Sequence, residues 1–147
     1  MIAKLPISVL VVVHTASREV LLLERTGRPG FWQSVTGSLD RAAEPPAEAA
    51  RRELREETGI EARTADLKRW NLIYTFEIFE QWRHRFAPGT THNTEHVFGL
   101  ELPAPVRAAL AAEEHVASLW LPWREAAAKC FSWSNCDAIR TLGECAR

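Results

Sequence analysis

Several features are scarce in this sequence, and each scarcity narrows what the chain can be. Cysteine is rare: Cys130, Cys136 and Cys145 are the only three, all in the last eighteen residues. An odd number with no C-x-x-C spacing argues against a disulfide framework, so they read as packing thiols in a reducing compartment. Neither sign of charge is in excess, with 18 Lys and Arg against 19 Asp and Glu. The near balance gives no electrostatic reason to expect nucleic acid or an anionic membrane as a partner. Long apolar runs are also missing. The best candidate, residues 7–13, is interrupted by Ser8 and falls far short of the roughly 20 residues that a membrane helix needs. Residues 1–13 lack the charged start, longer apolar core and small-residue cleavage site of a secretory signal. The expected setting is the cytoplasm.

What remains is the pattern of one mixed α/β domain over residues 1–147, since 147 residues suffice for a single core and no repeat or low-complexity tract divides them. Residues 7–14 (ISVLVVVH) predict a buried strand. A polar turn at 15–18 and an antiparallel partner at 19–24 follow. Residues 26–30 and 37–44 predict loops around a short extended piece at 31–36, and 67–80 predicts a strand rich in aromatic residues. After a loop at 81–92 come strands at 94–102 and 116–121, joined by a linker that contains a helical turn. Helical segments near 123–129 and 134–143 complete the chain.

The clearest helix runs from about Pro46 to Thr58. Pro45 and Pro46 suit its first turn, Gly59 suits its end, and Ala47, Ala50, Leu54 and Thr58 make a modest packing stripe. On that helix Glu53 has Glu56 and Glu57 as neighbours one turn on. Like charges at that spacing oppose each other by roughly 0.2–0.5 kcal/mol per exposed pair, and the last turn of a helix also disfavours negative charge. A divalent cation removes both penalties, and Mg²⁺ prefers such oxygen ligands. The helix alone fits a blander reading at least as well. Glu48 with Arg52, and Arg52 with Glu56, stand four apart and could form a salt-bridged, solvated face.

The surroundings shift that balance. Residues 37–60 read GSLDRAAEPPAEAARRELREETGI. This segment resembles the Nudix box, G-x5-E-x7-R-E-U-x-E-E-x-G-U with U apolar, through Gly37, Glu44, Arg52, Glu53, Leu54, Glu56, Glu57, Gly59 and Ile60. One spacing departs from the pattern: six residues, not five, separate Gly37 from Glu44. The resemblance implies a Nudix-type α/β/α sandwich with a mixed central sheet and the catalytic helix after the box loop. It further implies hydrolysis of a diphosphate linkage with Mg²⁺, for which Mn²⁺ can substitute. Glu53, Glu57 and Glu56 would be metal ligands, with Glu114 adding a carboxylate from outside the box. Arg52 would orient a glutamate, and Glu53 is the first choice to take a proton from water, ahead of Glu114.

A second resemblance runs in order along nearly the whole chain. Lys4-x-Pro6-x-Ser8, FWQSVTGS at 31–38, FEIF at 76–79, RHRFAPG at 83–89, Glu114-His115 and SWSN at 132–135 look like the Nudix branch that hydrolyses a pterin triphosphate in folate biosynthesis. It implies 7,8-dihydroneopterin triphosphate as substrate, cleaved to the monophosphate and pyrophosphate. A (d)NTP hydrolase and a non-catalytic nucleotide-binding module are the alternatives. Lys4 and Arg25 would meet phosphates, with plain surface charge as the competing reading. Thr36 and Ser132 offer hydroxyls. Phe76, Ile78 and Phe79 would wall a flat ring, with Glu77 accepting hydrogen bonds from its amino-pyrimidinone edge. In a regular strand, however, Glu77 and Phe79 face away from Phe76 and Ile78.

Overall fold

The computed structural model describes residues 2–144; Cys145 lies outside them. Strand β1 (Ile7–Thr15) forms the middle of a seven-stranded mixed sheet. It runs parallel to β6 (His92–Leu102) from Ile7 opposite Thr94 to Thr15 opposite Leu102. On its other side it pairs antiparallel with β4 (Val35–Ser38). Alternate side chains of β1 enter two separate cores. Val9, Val11 and Val13 pack with helix α1 (Pro46–Thr58), whereas Leu10 and Val12 pack with α2 (Trp123–Lys129) and α3 (Trp133–Glu144). Burial on both faces explains why β1 reads as a continuous apolar run. Helices therefore cover both sides of the sheet, and the fold is an α/β/α sandwich. No helix among the described residues is long and apolar enough to cross a membrane.

Strand β2 (Glu19–Arg25) corrects the simple hairpin expected from the sequence. It leaves β1 after a single pair, His14 opposite Val20, and instead runs antiparallel to β7 (His115–Pro122). The two arms are bridged by β3 (Trp32–Gln33), which pairs with β2, and by β4, which pairs with β1. Ser34 stands between them, and the Asn135 side chain holds the bend. Its Oδ1 accepts the Ser34 N–H at 2.7 Å, and its Nδ2 donates to Ser34 Oγ at 3.0 Å. The extended piece expected at 31–36 is thus two short strands that bend from one arm of the sheet to the other.

Strand β5 (Lys68–Glu77) ends three residues before the expected boundary. The chain then turns into a short 3₁₀ helix, Glu80–Arg85, which starts on the last residue of the expected strand and runs into the loop expected at 81–92. The turn is fixed by Ile78 N–H on the Thr91 carbonyl and by Arg83 Nε on the Ile78 carbonyl. Between Arg69 and Ile73 the β5–β6 register shifts, and Asn71 adopts φ 58 there, which is how a bulge takes up extra residues. The expected helical turn before β7 is present as one turn, closed by His115 N–H on the Ala111 carbonyl.

Candidate active site

A cavity of about 930 Å³ opens where β1 and β2 diverge. Helix α1 supplies its acidic wall. Pro at the first helical position and Gly59 at the end (φ 74, N–H to the Arg55 carbonyl) set the length of α1, as expected. Its buried face is more unusual, because Glu53 and Glu57 lie there with Ala49, Ala50 and Leu54. Glu57 is only 1% exposed and Glu53 only 9%. Carboxylates are seldom so buried without partners.

The two partner sets differ. Arg52 Nη1 donates to Glu53 Oε2 at 2.9 Å, and its Nε and Nη2 grip Glu44, each at 3.1 Å. The Arg52–Glu56 pair suggested by the spacing also forms, at 3.6 Å. Glu48 pairs with Arg51 rather than with Arg52, whose guanidinium turns inward to the box loop. The solvated-face reading therefore fails for Arg52. Arg52 also draws Glu44 below the usual carboxylate range, first through its hydrogen bonds. The additional residue before Glu44 is taken up by a turn in which Glu44 N–H meets the Arg41 carbonyl and Glu44 Oε1 accepts the Asp40 N–H at 2.7 Å.

Glu57 has no cation partner among the described residues; the Thr36 N–H reaches its Oε1 at 3.4 Å. Burial first, and then the facing Glu53 carboxylate, raise Glu57 well above the usual carboxylate range. Glu53 is raised chiefly by burial, while Arg52 and a hydrogen bond from Glu57 favour its charged form. Among the described residues no three acidic or histidine side chains close on a single metal point. The donor chemistry nevertheless fits a divalent cation: two buried, facing carboxylates supply hard oxygen ligands and leave negative charge uncompensated. Glu56 and Glu114 line the same cavity and are exposed. Glu114 lies near enough to act electrostatically on Glu57, Lys4 and Arg25, which its neighbour Glu113 is not seen to do.

Opposite the acids stand cations. Lys4, Arg25, Arg28 and Arg85 line the cavity. Desolvation and then the Arg85 charge lower both Lys4 and Arg25, although the Lys4 side chain stays open to solvent. Like charges gathered at this cost make a natural anion site. Backbone pairing holds the arrangement, with Lys4 N–H on the Arg85 carbonyl at 2.8 Å. Trp82 underlies it, with the guanidinium carbons of Arg25, Arg28 and Arg85 at 5.0–5.9 Å from its ring centre.

Thr36, Phe76, Ile78, Phe79 and Ser132 also line the cavity. Phe79 does so despite the alternation argument, because β5 has already ended and the backbone has turned. It packs edge-on against Trp82 and Phe131. The Thr36 hydroxyl is engaged with the Val9 carbonyl at 3.0 Å. Glu77 does not reach the cavity: it points to solvent and pairs with Arg83 at 2.8 Å. The last residue of a strand whose partner face is Phe76 is aimed the opposite way. Arg28, Trp82, Asn93 and Glu95 were not singled out as site residues from sequence, and for Arg85 the sequence leaves an approach to the phosphates open against a solvated-loop reading. Glu95 offers only its charge within the strand expected at 94–102. Cys130 and Cys136 are half-buried packing groups, and burial pushes the Cys130 thiol up to about 12, far from a reactive thiolate.

An α/β/α sandwich with a buried glutamate pair facing a cation-rimmed cavity defines a class of phosphoanhydride hydrolase. The chain belongs to the Nudix family, matching the NUDIX domain model over residues 4–142. It is a Nudix pyrophosphohydrolase, and this family generally uses divalent metal cations. Among curated proteins it is similar to dihydroneopterin triphosphate diphosphatase of Escherichia coli strain K12, 44% identical over 139 residues and covering 92% of this chain and 91% of the relative. The Haemophilus influenzae protein of the same name is 38% identical over 136 residues, covering 90% and 84%. Among solved structures, E. coli dihydroneopterin triphosphate pyrophosphohydrolase superposes with a TM-score of 0.87 at 42% identity, covering 96% of this chain and 97% of that one.

Proposed function

We propose that the protein hydrolyses 7,8-dihydroneopterin triphosphate to dihydroneopterin monophosphate and pyrophosphate, with Mg²⁺ as the metal, in the cytoplasm as a step of folate biosynthesis, and that one domain spanning residues 1–147 does this. The observation that carries the reading is the single cavity that joins the Glu53–Glu57 pair to Lys4, Arg25 and Arg85. A chain of phosphates needs both ends of that arrangement. The relatives named for the pterin substrate support the choice among triphosphates.

Glu53, Glu57, Glu56 and Glu114 would hold the cation, which supplies charge neutralisation on the phosphates and a more acidic water. Hydrolysis forms one bond from the water oxygen to phosphorus and breaks the bond from that phosphorus to the bridging oxygen, which leaves with pyrophosphate. The proton lost by water goes to a carboxylate. Glu53, oriented by Arg52, would take it, with Glu114 second. Lys4, Arg25 and Arg85 bind the outer phosphates and stabilise the charge that gathers on the leaving group. Ser132 with Phe76, Ile78 and Phe79 borders the space for the ring.

Purified protein with Mg²⁺ is expected to turn over dihydroneopterin triphosphate with a kcat/KM above that for any dNTP, releasing pyrophosphate rather than orthophosphate. A dNTP hydrolysed with the higher kcat/KM would replace the pterin reading with a nucleotide-directed one. A protein that binds these compounds but turns over none would be a binding module.

A further inference from the structure

The cavity floor holds polar groups that the phosphate chemistry does not use. Asn93 and Glu95 lie two residues apart on β6 and so share a face of the sheet, 6% and 5% exposed. Both line the cavity. Asn93 Nδ2 donates to Ser8 Oγ at 2.8 Å, while its Oδ1 has no partner. Glu95 Oε1 accepts the Ser134 hydroxyl at 3.2 Å, and Glu95 has no ion pair among the described residues. Its cross-strand neighbour Tyr74 gives its own hydroxyl to Asp137 instead. Burial pushes Glu95 up to about 7, the mark of a carboxyl short of donors. An orphan acceptor and an under-satisfied carboxyl, both buried on one face of β6 where it lines the cavity, are costly unless something supplies hydrogen-bond donors.

We propose that Asn93 and Glu95 are the ring-recognition residues, accepting hydrogen bonds from the N–H and exocyclic amine of a 2-amino-4-oxopyrimidine edge. The edge carries two adjacent donors, and the floor offers two adjacent acceptors. Phe76 stands directly across the strand pair from Asn93 and supplies a flat apolar wall beside them. The role that the sequence suggested for Glu77 thus falls to a residue on the neighbouring strand. This inference rests on the proposed pterin substrate, because it names how that ring is read.

The test compares wild type with Glu95→Gln on dihydroneopterin triphosphate, dGTP and dATP. The first two present the amino-oxo edge and the third does not. Glutamine keeps the shape but sets an N–H against a donor edge. The expected result is a KM raised by about 10–100-fold for the pterin and dGTP, the range for a hydrogen bond to a charged group. Their kcat should stay within about threefold, and kcat/KM for dATP should be unchanged. Asn93→Ala, which leaves the carboxyl in place, is expected to weaken the same two substrates selectively and so guards against misfolding of the first variant. An unchanged KM for both, or a parallel loss on all three substrates, overturns the assignment. Should wild type prefer a dNTP to the pterin, the proposed substrate falls, while the contrast between dGTP and dATP still reads the role of Glu95.

Discussion

Glu53→Gln is expected to lower kcat by about 10³-fold or more while leaving the protein at least as stable as wild type in the presence of a chelator. The activity loss combines two effects. A cation ligand disappears, and so does the carboxylate best placed to take the proton of water, a role usually worth about 10²–10⁴-fold. Stability should move the other way because the change removes one of two buried carboxylates that oppose each other. Steady-state kinetics with saturating Mg²⁺, paired with thermal melting in EDTA, checks both halves. A merely structural role for Glu53 would lower the melting temperature and leave kcat nearly intact.

Gly37→Ala is expected to be almost as damaging, for a purely steric reason. The Gly37 backbone is not in the left-handed region, so alanine is conformationally acceptable there. Its Cβ, however, would land on the carboxylate carbon and both oxygens of Glu53. The obstacle is the end of a side chain rather than backbone, so Glu53 moves and β4 stays. A displacement of about 1 Å at a reacting group costs on the order of 10²-fold. The predicted outcome is a fall of about that size in kcat/KM with a melting temperature close to that of wild type. Kinetics beside circular dichroism would show it. A cooperative loss of fold, or full activity, would mean that the glycine serves the turn and not the carboxylate.

The contrast between these two residues and Glu77 shows what the sequence could and could not convey. Glu53, Glu57 and Gly37 were legible because the resemblance to the Nudix box rests on one short contiguous segment, 37–60, whereas helix periodicity alone fitted a solvated face at least as well. β1 was legible because burial on both faces leaves no polar residue beyond Ser8, His14 and Thr15 to blur the run. Glu77 was misread because a strand boundary, fixed by Thr91 and Arg83 from further along the chain, decides which way its side chain points. The same limit hid part of the anion site: Lys4 and Arg25 were read as phosphate contacts, but Arg28 was not. Lys4 and Arg85 meet through a backbone hydrogen bond across more than half the chain, and Arg28 joins them over the Trp82 ring. The early departure of β2 from β1 was equally non-local, since β3 and β4 drive it by filling the gap. Glu95 sits between these cases. Its charge within an expected strand was visible, but its cavity was not.

The central claim is that the facing glutamates of α1 form a divalent-cation site, and direct titration with Mn²⁺ tests it. Free Mn²⁺ would be followed by electron paramagnetic resonance for wild type, Glu53→Gln and Glu57→Gln, with no substrate present. The account predicts binding to wild type that either substitution weakens by at least about tenfold, the effect of losing one charged ligand. Superimposable isotherms for all three proteins would contradict it.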